Sequence, residues 1–232
     1  AVTCDPDLFY TTNDPTSDSI CTMLTDGNIK SYTKECLAED AVNGTCNGSP
    51  FGPIQSWNVS NVTDFSLLFA SKSTFNGDIT SWDTGASTNF YSMFSRATTF
   101  NQPIGKWNTG ASTSFSNMFG GAKAFNQPIG EWNTGASTTF TAMFFKATAF
   151  NQPIAEWDTG ASTSFEGMFF DAAAFNQPIG EWDTGASTSF YSMFSRATTF
   201  NQPIGEWDVG AATSLGIMFA GAKAFNQPIA EW

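Results

Sequence analysis

One indole recurs every 25 residues. Trp57, Trp82, Trp107, Trp132, Trp157, Trp182, Trp207 and Trp232 keep that spacing without a slip, and they are all the tryptophans of the 232-residue chain. Phenylalanine keeps the same phase. One column runs from Phe75 to Phe225, a second from Phe69 to Phe219, and a third from Phe65 to Phe190, ending in Leu215. Six of the seven methionines precede the second column, from Met93 to Met218. A fixed period of this length means a solenoid, a propeller or an array. A propeller blade needs about 40 residues for its four strands, so a unit this short has room for one coil only. The expected fold is a repeat solenoid, a single superhelix with each coil stacked on the last. No unit can bury its aromatics alone, so neighbouring coils must do it.

The local chemistry divides a typical unit, FNQPIGEWDTGASTSFYSMFSRATT over residues 175–199. Asn-Gln-Pro-Ile-Gly is a turn, since Pro fixes φ and Gly permits a tight return. Glu156-Trp157-Asp158-Thr159 alternates polar and apolar, which predicts one short parallel strand per coil. Phe165, Met168 and Phe169 stand at i, i+3, i+4, which predicts one short helical turn. The column from Asn76 to Asn226 sits between an inward Phe and a Pro turn. It is expected to form a ladder bonding the backbone of the adjacent coil.

Residues 1–50 lack the period and hold all four cysteines, Cys4, Cys21, Cys36 and Cys46. They read as a Cys-rich amino-terminal cap on a solenoid spanning 51–232, covering its aromatic end. Four cysteines imply two disulfides with three pairings open. Spacings of 17, 15 and 10 contain no close pair of the kind that holds zinc. Asn43, Asn47, Asn58 and Asn61 begin Asn-x-Ser/Thr sequons. Together with disulfides they point to export. The chain starts at Ala1 with no charged-then-apolar leader, consistent with a removed signal peptide. It stops at Trp232 inside a unit, so either the natural chain continues or the open coil meets another chain. No run approaches the roughly 18 apolar residues of a membrane span.

The unit Trp57-Asn58-Val59-Ser60-Asn61-Val62-Thr63-Asp64-Phe65-Ser66-Leu67-Leu68-Phe69, with Phe100-Asn101-Gln102-Pro103-Ile104-Gly105-Lys106-Trp107, resembles the repeat of BspA-like leucine-rich-repeat surface proteins. The likeness covers roughly residues 51–232. Later units read Trp-Asp-Thr-Gly-Ala-Ser-Thr where that family has a Val-bearing segment. The resemblance implies a leucine-rich-repeat-like solenoid and an extracellular or cell-surface protein concerned with adhesion or host contact. It carries no catalytic residues to transfer.

Charge narrows the functions further. Nine basic residues face 21 acids, giving a net charge of -12 and a pI near 4.1, which argues against nucleic acid and anionic membrane as partners. The chain has no histidine, and so lacks the commonest general base and metal ligand. Beside the tryptophans, Glu131, Glu156, Glu181 and Glu206 form one column. Asp158, Asp183 and Asp208 form a second. These are the candidate cation or partner face, with Ca²⁺ the fitting cation because its ligands are carboxylate oxygens. Equivalent acids in every coil share one environment, whereas acid–base catalysis needs carboxyls with separated pKa values, so no enzymatic activity is expected. Two threonine columns, one from Thr84 to Thr184 and one from Thr88 to Thr213, form a hydroxyl-rich region suited to turns, to glycans or, more distantly, to ice. The expected role is a non-enzymatic extracellular scaffold for adhesion, protein–protein interaction or filament or matrix assembly, with protein or glycan as partner and self-association through the last coil in reach. A module binding Ca²⁺ or polysaccharide is the alternative.

Overall fold

The computed structural model describes residues 23–232. Cys4 and Cys21 lie outside the described residues. The described part opens with one helix, α1 (Ile29–Glu39), followed by a single 3-10 turn at Ile54–Ser56. From there every repeat lies on the one before it.

The aromatic columns form the interior. Phe94 lies parallel to Phe119 of the next repeat at 5.6 Å and against Phe100 of its own at 3.8 Å. Indoles repeat the geometry: Trp82 and Trp107 are 6.4 Å apart and 5° from parallel. The separations between repeats, 5.6 and 6.4 Å, fall in the range of about 4.5–7 Å that aromatic pairs favour. Trp57 through Trp207 are 3–4% exposed, and the phenylalanines of the three columns are fully buried from Phe65 to Phe200. A buried side chain of this size stabilises by about 1.5–3 kcal/mol, so most of the holding force lies between repeats.

Hydrogen bonds join the repeats along two edges by different means. On one edge the backbone does it. Phe65, Leu67, Phe69 and Ser71 donate their N–H groups to Asn89, Tyr91, Met93 and Ser95 of the next repeat. The intervening amides of Leu68, Ala70 and Lys72 close turns onto Phe65, Leu67 and Phe69. Every second amide thus points across the stack while its neighbours bond locally. The alternation requires left-handed residues four apart, such as Ala142 and Lys146, both at φ 56°. The helical turn expected over Phe165–Phe169 is therefore absent. A helix would direct each N–H back along its own axis and leave none for the next repeat. Phe165, Met168 and Phe169 still face inward, because paired turns bring the same three positions to one side.

The expected strand also differs. Parallel pairing occurs as isolated one-residue bridges, including Ser114 with Thr139 and Ser164 with Ser189. None falls at Glu156–Thr159. There Trp157 N–H closes a turn on the Ile154 carbonyl, and the Asp158 side chain accepts from Gly160 N–H. The alternation of exposed Glu156 and Asp158 with buried Trp157 and Thr159 is present, but no ladder accompanies it.

Side chains join the repeats on this second edge. Asn126 Oδ1 accepts the N–H of Asn151 at 2.9 Å, and Asn151 Oδ1 accepts that of Asn176 in turn. Gln152 donates to the Asn126 carbonyl. Trp157 Nε1 donates to Ile129 of the preceding repeat, and Thr159 Oγ1 to the Asp183 carbonyl of the following one. The asparagine ladder bonds adjacent repeats as its position between Phe and Pro indicated.

Residues 23–50 imitate a preceding repeat. Asp26 accepts from Thr63 N–H, Thr63 Oγ1 and Asp64 N–H, where in later repeats the N–H of Thr88 meets the Thr63 carbonyl. Val42 carbonyl takes the Asn76 N–H, the place an asparagine oxygen holds elsewhere. The disulfide Cys36–Cys46 ties α1 to this segment, selecting one bond from the pairings left open. Gly44, at φ +67°, passes so near Ile54 that a Cβ would stand 2.7 Å from Cγ2. Two aspartates of this segment are held as carboxylates by the bonds they accept. Asp40 accepts from Thr45 Oγ1 and from the amides of Asn43, Val42 and Thr45, bonds that hold its pKa well below the ordinary 3.8. Burial works against the charge on Asp26, yet the bonds from Thr63 and Asp64 outweigh it and lower its pKa.

Candidate functional site

The acids singled out in the sequence lie on the side-chain-bonded edge. Glu131, Glu156, Glu181 and Glu206 are exposed in consecutive repeats, and so are Asp158, Asp183 and Asp208. The two columns differ in duty. Each aspartate spends one oxygen on a local turn, as Asp183 does on Gly185 N–H and Asp208 on Gly210 N–H. The other oxygen lies over the glycine of the repeat before: a Cβ at Gly135 would stand 2.8 Å from Asp158 Oδ2, and one at Gly160 3.1 Å from Asp183 Oδ2. The aspartates are thus partly structural. The glutamates are not so engaged, except that Glu131 meets Lys106 at 3.5 Å in an exposed pair, a geometry worth at most about 1 kcal/mol. Among the described residues no three His, Cys, Asp or Glu side chains gather into a group that could hold a metal ion.

A furrow accompanies the glutamates. Pro103, Pro128 and Pro153, with Gly105, Gly130 and Ala155 between them, line about 610 Å³ bordered by Lys106, Glu131 and Glu156. A second stretch of about 400 Å³ continues past Pro178, Pro203 and Pro228 beside Glu181 and Glu206. The small residues are required by close approach: a Cβ at Gly130 would stand 2.7 Å from the Pro153 carbonyl, and one at Gly180 2.7 Å from that of Pro203. Sequence reading missed this furrow. Its signal is the recurrence of Pro-Ile-Gly in phase with Glu, in which a small residue every coil leaves a continuous hollow.

The hydroxyl columns are not a free face. Thr84, Thr109, Thr134, Thr159 and Thr184 are buried, at 1–2% exposure, and donate to the next repeat's carbonyls, as Thr84 does to Asn108. The second column is exposed, but Thr113, Thr138, Thr163, Thr188 and Thr213 each donate to the preceding threonine's carbonyl. Asn43, Asn47, Asn58 and Asn61 are all exposed.

A family model described as "Mycoplasma protein of unknown function, DUF285" matches residues 41–156 and 129–232. The chain belongs to the DUF285 family. The match takes in every Trp-bearing repeat and begins at residue 41, between the disulfide-bonded Cys36 and Cys46. At the level of the repeat family it supports the likeness to BspA-like surface proteins. No curated protein and no solved structure shows significant similarity to the chain. No helix among the described residues is long and apolar enough to cross a membrane. Membership of DUF285 brings no assigned activity.

Proposed function

We propose that this DUF285 protein is a secreted, non-enzymatic repeat scaffold. It is a capped solenoid that works in adhesion or assembly outside the cell by offering the glutamate-bordered furrow to a protein partner. The observation that carries the reading is where the periodic polar groups are spent. The Asn, Gln, Trp and Thr columns are consumed in joining repeats, and the aspartates in local turns, whereas Glu156, Glu181 and Glu206 remain exposed beside an apolar hollow. An extended cationic segment fits such a surface. Its apolar stem covers proline rings while its charges meet the glutamates. Uniform acids and the lack of histidine support a scaffold over an enzyme.

Binding of the full chain to an immobilised lysine-rich peptide, followed by interferometry across salt concentrations, tests this. The expected result is salt-sensitive binding that is lost in the triple variant Glu156→Lys, Glu181→Lys, Glu206→Lys, with circular dichroism unchanged. Binding that ignores the triple reversal would remove the furrow from the account. The Ca²⁺ alternative has its own test, since a ligand of the native state must raise the melting temperature. Equal transitions in Ca²⁺ and in EDTA would dismiss it.

A further inference from the structure

The opposite edge holds a feature of the other sign. We propose that a recess on the backbone-bonded edge, centred on Arg96, Lys123 and Lys146, binds an acidic saccharide. It encloses about 380 Å³ and no carboxylate lines it. Three of the nine basic residues of the chain meet there. None of the three makes an ion pair among the described residues. The surrounding repeats are not acidic: residues 57–130 carry four basic residues against three acids, whereas 131–232 carry three against ten. At about 0.1 M salt, charges beyond roughly 10 Å are screened, so the net charge of the whole chain does not decide what this recess attracts.

The recess exists because of a two-glycine gap in a ridge. Where other repeats have Ser95-Arg96, Phe145-Lys146 or Phe170-Asp171, this one has Gly120-Gly121. A Cβ at Gly120 would collide with Asn117 Oδ1, and one at Gly121 would stand 3.5 Å from Arg96 Cγ. Arg96 therefore lies across bare backbone. Asn117 is fixed on the floor by donating to Ser92 Oγ and Ser95 Oγ, at 2.9 and 3.0 Å. Phe145 forms the far wall. Its ring stacks on Phe170 at 4.7 Å, and Lys146 Nζ lies 5.1 Å from its centroid. A guanidinium and two ammoniums take a carboxylate or sulfate by charge-assisted hydrogen bonds. An aromatic wall takes the apolar face of a sugar ring. Together they fit an anionic sugar better than a bare ion.

The chain supplies an internal control. Residues 90–104 and 190–204 read alike, FYSMFSRATTFNQPI, and each is followed one repeat later by a Gly-Ala-Lys segment, Gly121-Ala122-Lys123 or Gly221-Ala222-Lys223. Arg196 crosses Gly221 as Arg96 crosses Gly121, with the same 3.5 Å approach. Yet Arg196 is paired with Asp171 at 3.6 Å, where Arg96 has Ser71 in the equivalent position.

Titration calorimetry on the full chain tests the proposal. The probes are a sulfated heparin tetrasaccharide, trigalacturonate as a carboxylate-only ligand, and neutral cellotetraose. One or both anionic sugars should bind and the neutral one should not, the two arms telling sulfate from carboxylate. Arg96→Ala or Lys146→Ala should weaken binding by about tenfold or more, the loss expected for a charged hydrogen bond, while Arg196→Ala leaves it unchanged. Phe145→Ala should weaken the saccharide. An equal loss in Arg196→Ala would overturn the site in favour of diffuse attraction. Absence of binding by either anionic sugar at millimolar concentration and low salt would overturn it outright. So would an oligomer that Arg96→Ala dissociates while no sugar binds, since the recess would then serve a second copy.

Discussion

The two long edges of the stack join the same repeats by opposite means. On the edge carrying Asn, Trp and Thr, the bonds between repeats come from side chains: Asn126 Oδ1 to Asn151 N–H, Trp157 Nε1 to Ile129, Thr159 Oγ1 to Asp183. On the other, they come from alternate backbone amides, such as Ala142 to Glu166 and Lys146 to Phe170. A backbone bond does not ask which residue supplies it. The first edge accordingly repeats Asn-Gln-Pro-Ile and Trp almost without change from Phe100 onward. The outward positions of the second read Ser71, Arg96, Gly121, Lys146, Asp171, Arg196 and Gly221 in successive repeats. Repetition of the Asn, Trp and Thr columns therefore marks bonds between repeats, which the exposed glutamates do not make, and the freedom to vary on the second edge leaves room for a local site such as the basic recess.

Truncations on the side-chain edge should cost most. Trp157→Ala removes a stacked ring and one of the two donors to the Ile129 carbonyl, which keeps the Trp132 N–H, so a loss of about 3–5 kcal/mol is expected, mostly from the cavity. Asn151→Ala leaves the part-buried Asn176 amide without its acceptor and should cost about 1–3 kcal/mol. Urea midpoints together with hydrogen exchange of the flanking repeats measure both. Repeats that contact only their neighbours can open locally, so exchange should rise at repeats adjoining the mutation before distant ones. If Asn151→Ala were silent, the side-chain edge would owe its strength to packing alone.

The amino-terminal segment meets the stack on one edge through the Asp26 carboxylate and is braced internally by Asp40, which makes this junction sensitive to acid. Asp40 and Asp26 have pKa values lowered by folding, so their stabilising effect is complete above the ordinary aspartate pKa of 3.8. It is lost as pH falls below that value toward the folded ones. Exchange protection of Thr63 and Asp64 amides should therefore fall in acid ahead of that of Phe144 or Phe169. Asp26→Asn should move the loss to neutral pH. Uniform acid loosening along the stack would contradict the distinction between cap and repeats.

The period alone made the stacked aromatic interior legible, because a Trp and three Phe at fixed spacing have no other place to be buried. The asparagine ladder was legible from its place between an inward Phe and a Pro turn, where the turn amides need an acceptor. What misled were local periodicities. Glu156-Trp157-Asp158-Thr159 alternates like a strand, yet Asp158 folds onto Gly160 and no ladder forms. Phe165, Met168 and Phe169 are spaced like a helix, yet paired turns give the same inward face. The threonine columns read as surface because hydroxyls tolerate both settings, and Thr159 proved to be a buried donor. The furrow and the basic recess depend on absent side chains, at Gly130 and Gly120, and a missing Cβ speaks only once its neighbours are placed.

The smallest effect discriminates between the edges by sign. Ala142 holds φ 56°, a left-handed setting that costs an L-residue about 1–2 kcal/mol. Gly167 takes the corresponding place in the next repeat, at φ 58°. Ala142→Gly removes the strain but adds unfolded-chain entropy worth about 0.5–1 kcal/mol. A net stabilisation of up to about 1 kcal/mol is expected. The same change at exposed Ala161, which has no positive φ to relieve, should instead destabilise by about 0.5–1 kcal/mol. If both substitutions moved the urea midpoint downward, the left-handed turns would be relaxed in solution. The alternation of forward and local amides would then need another cause.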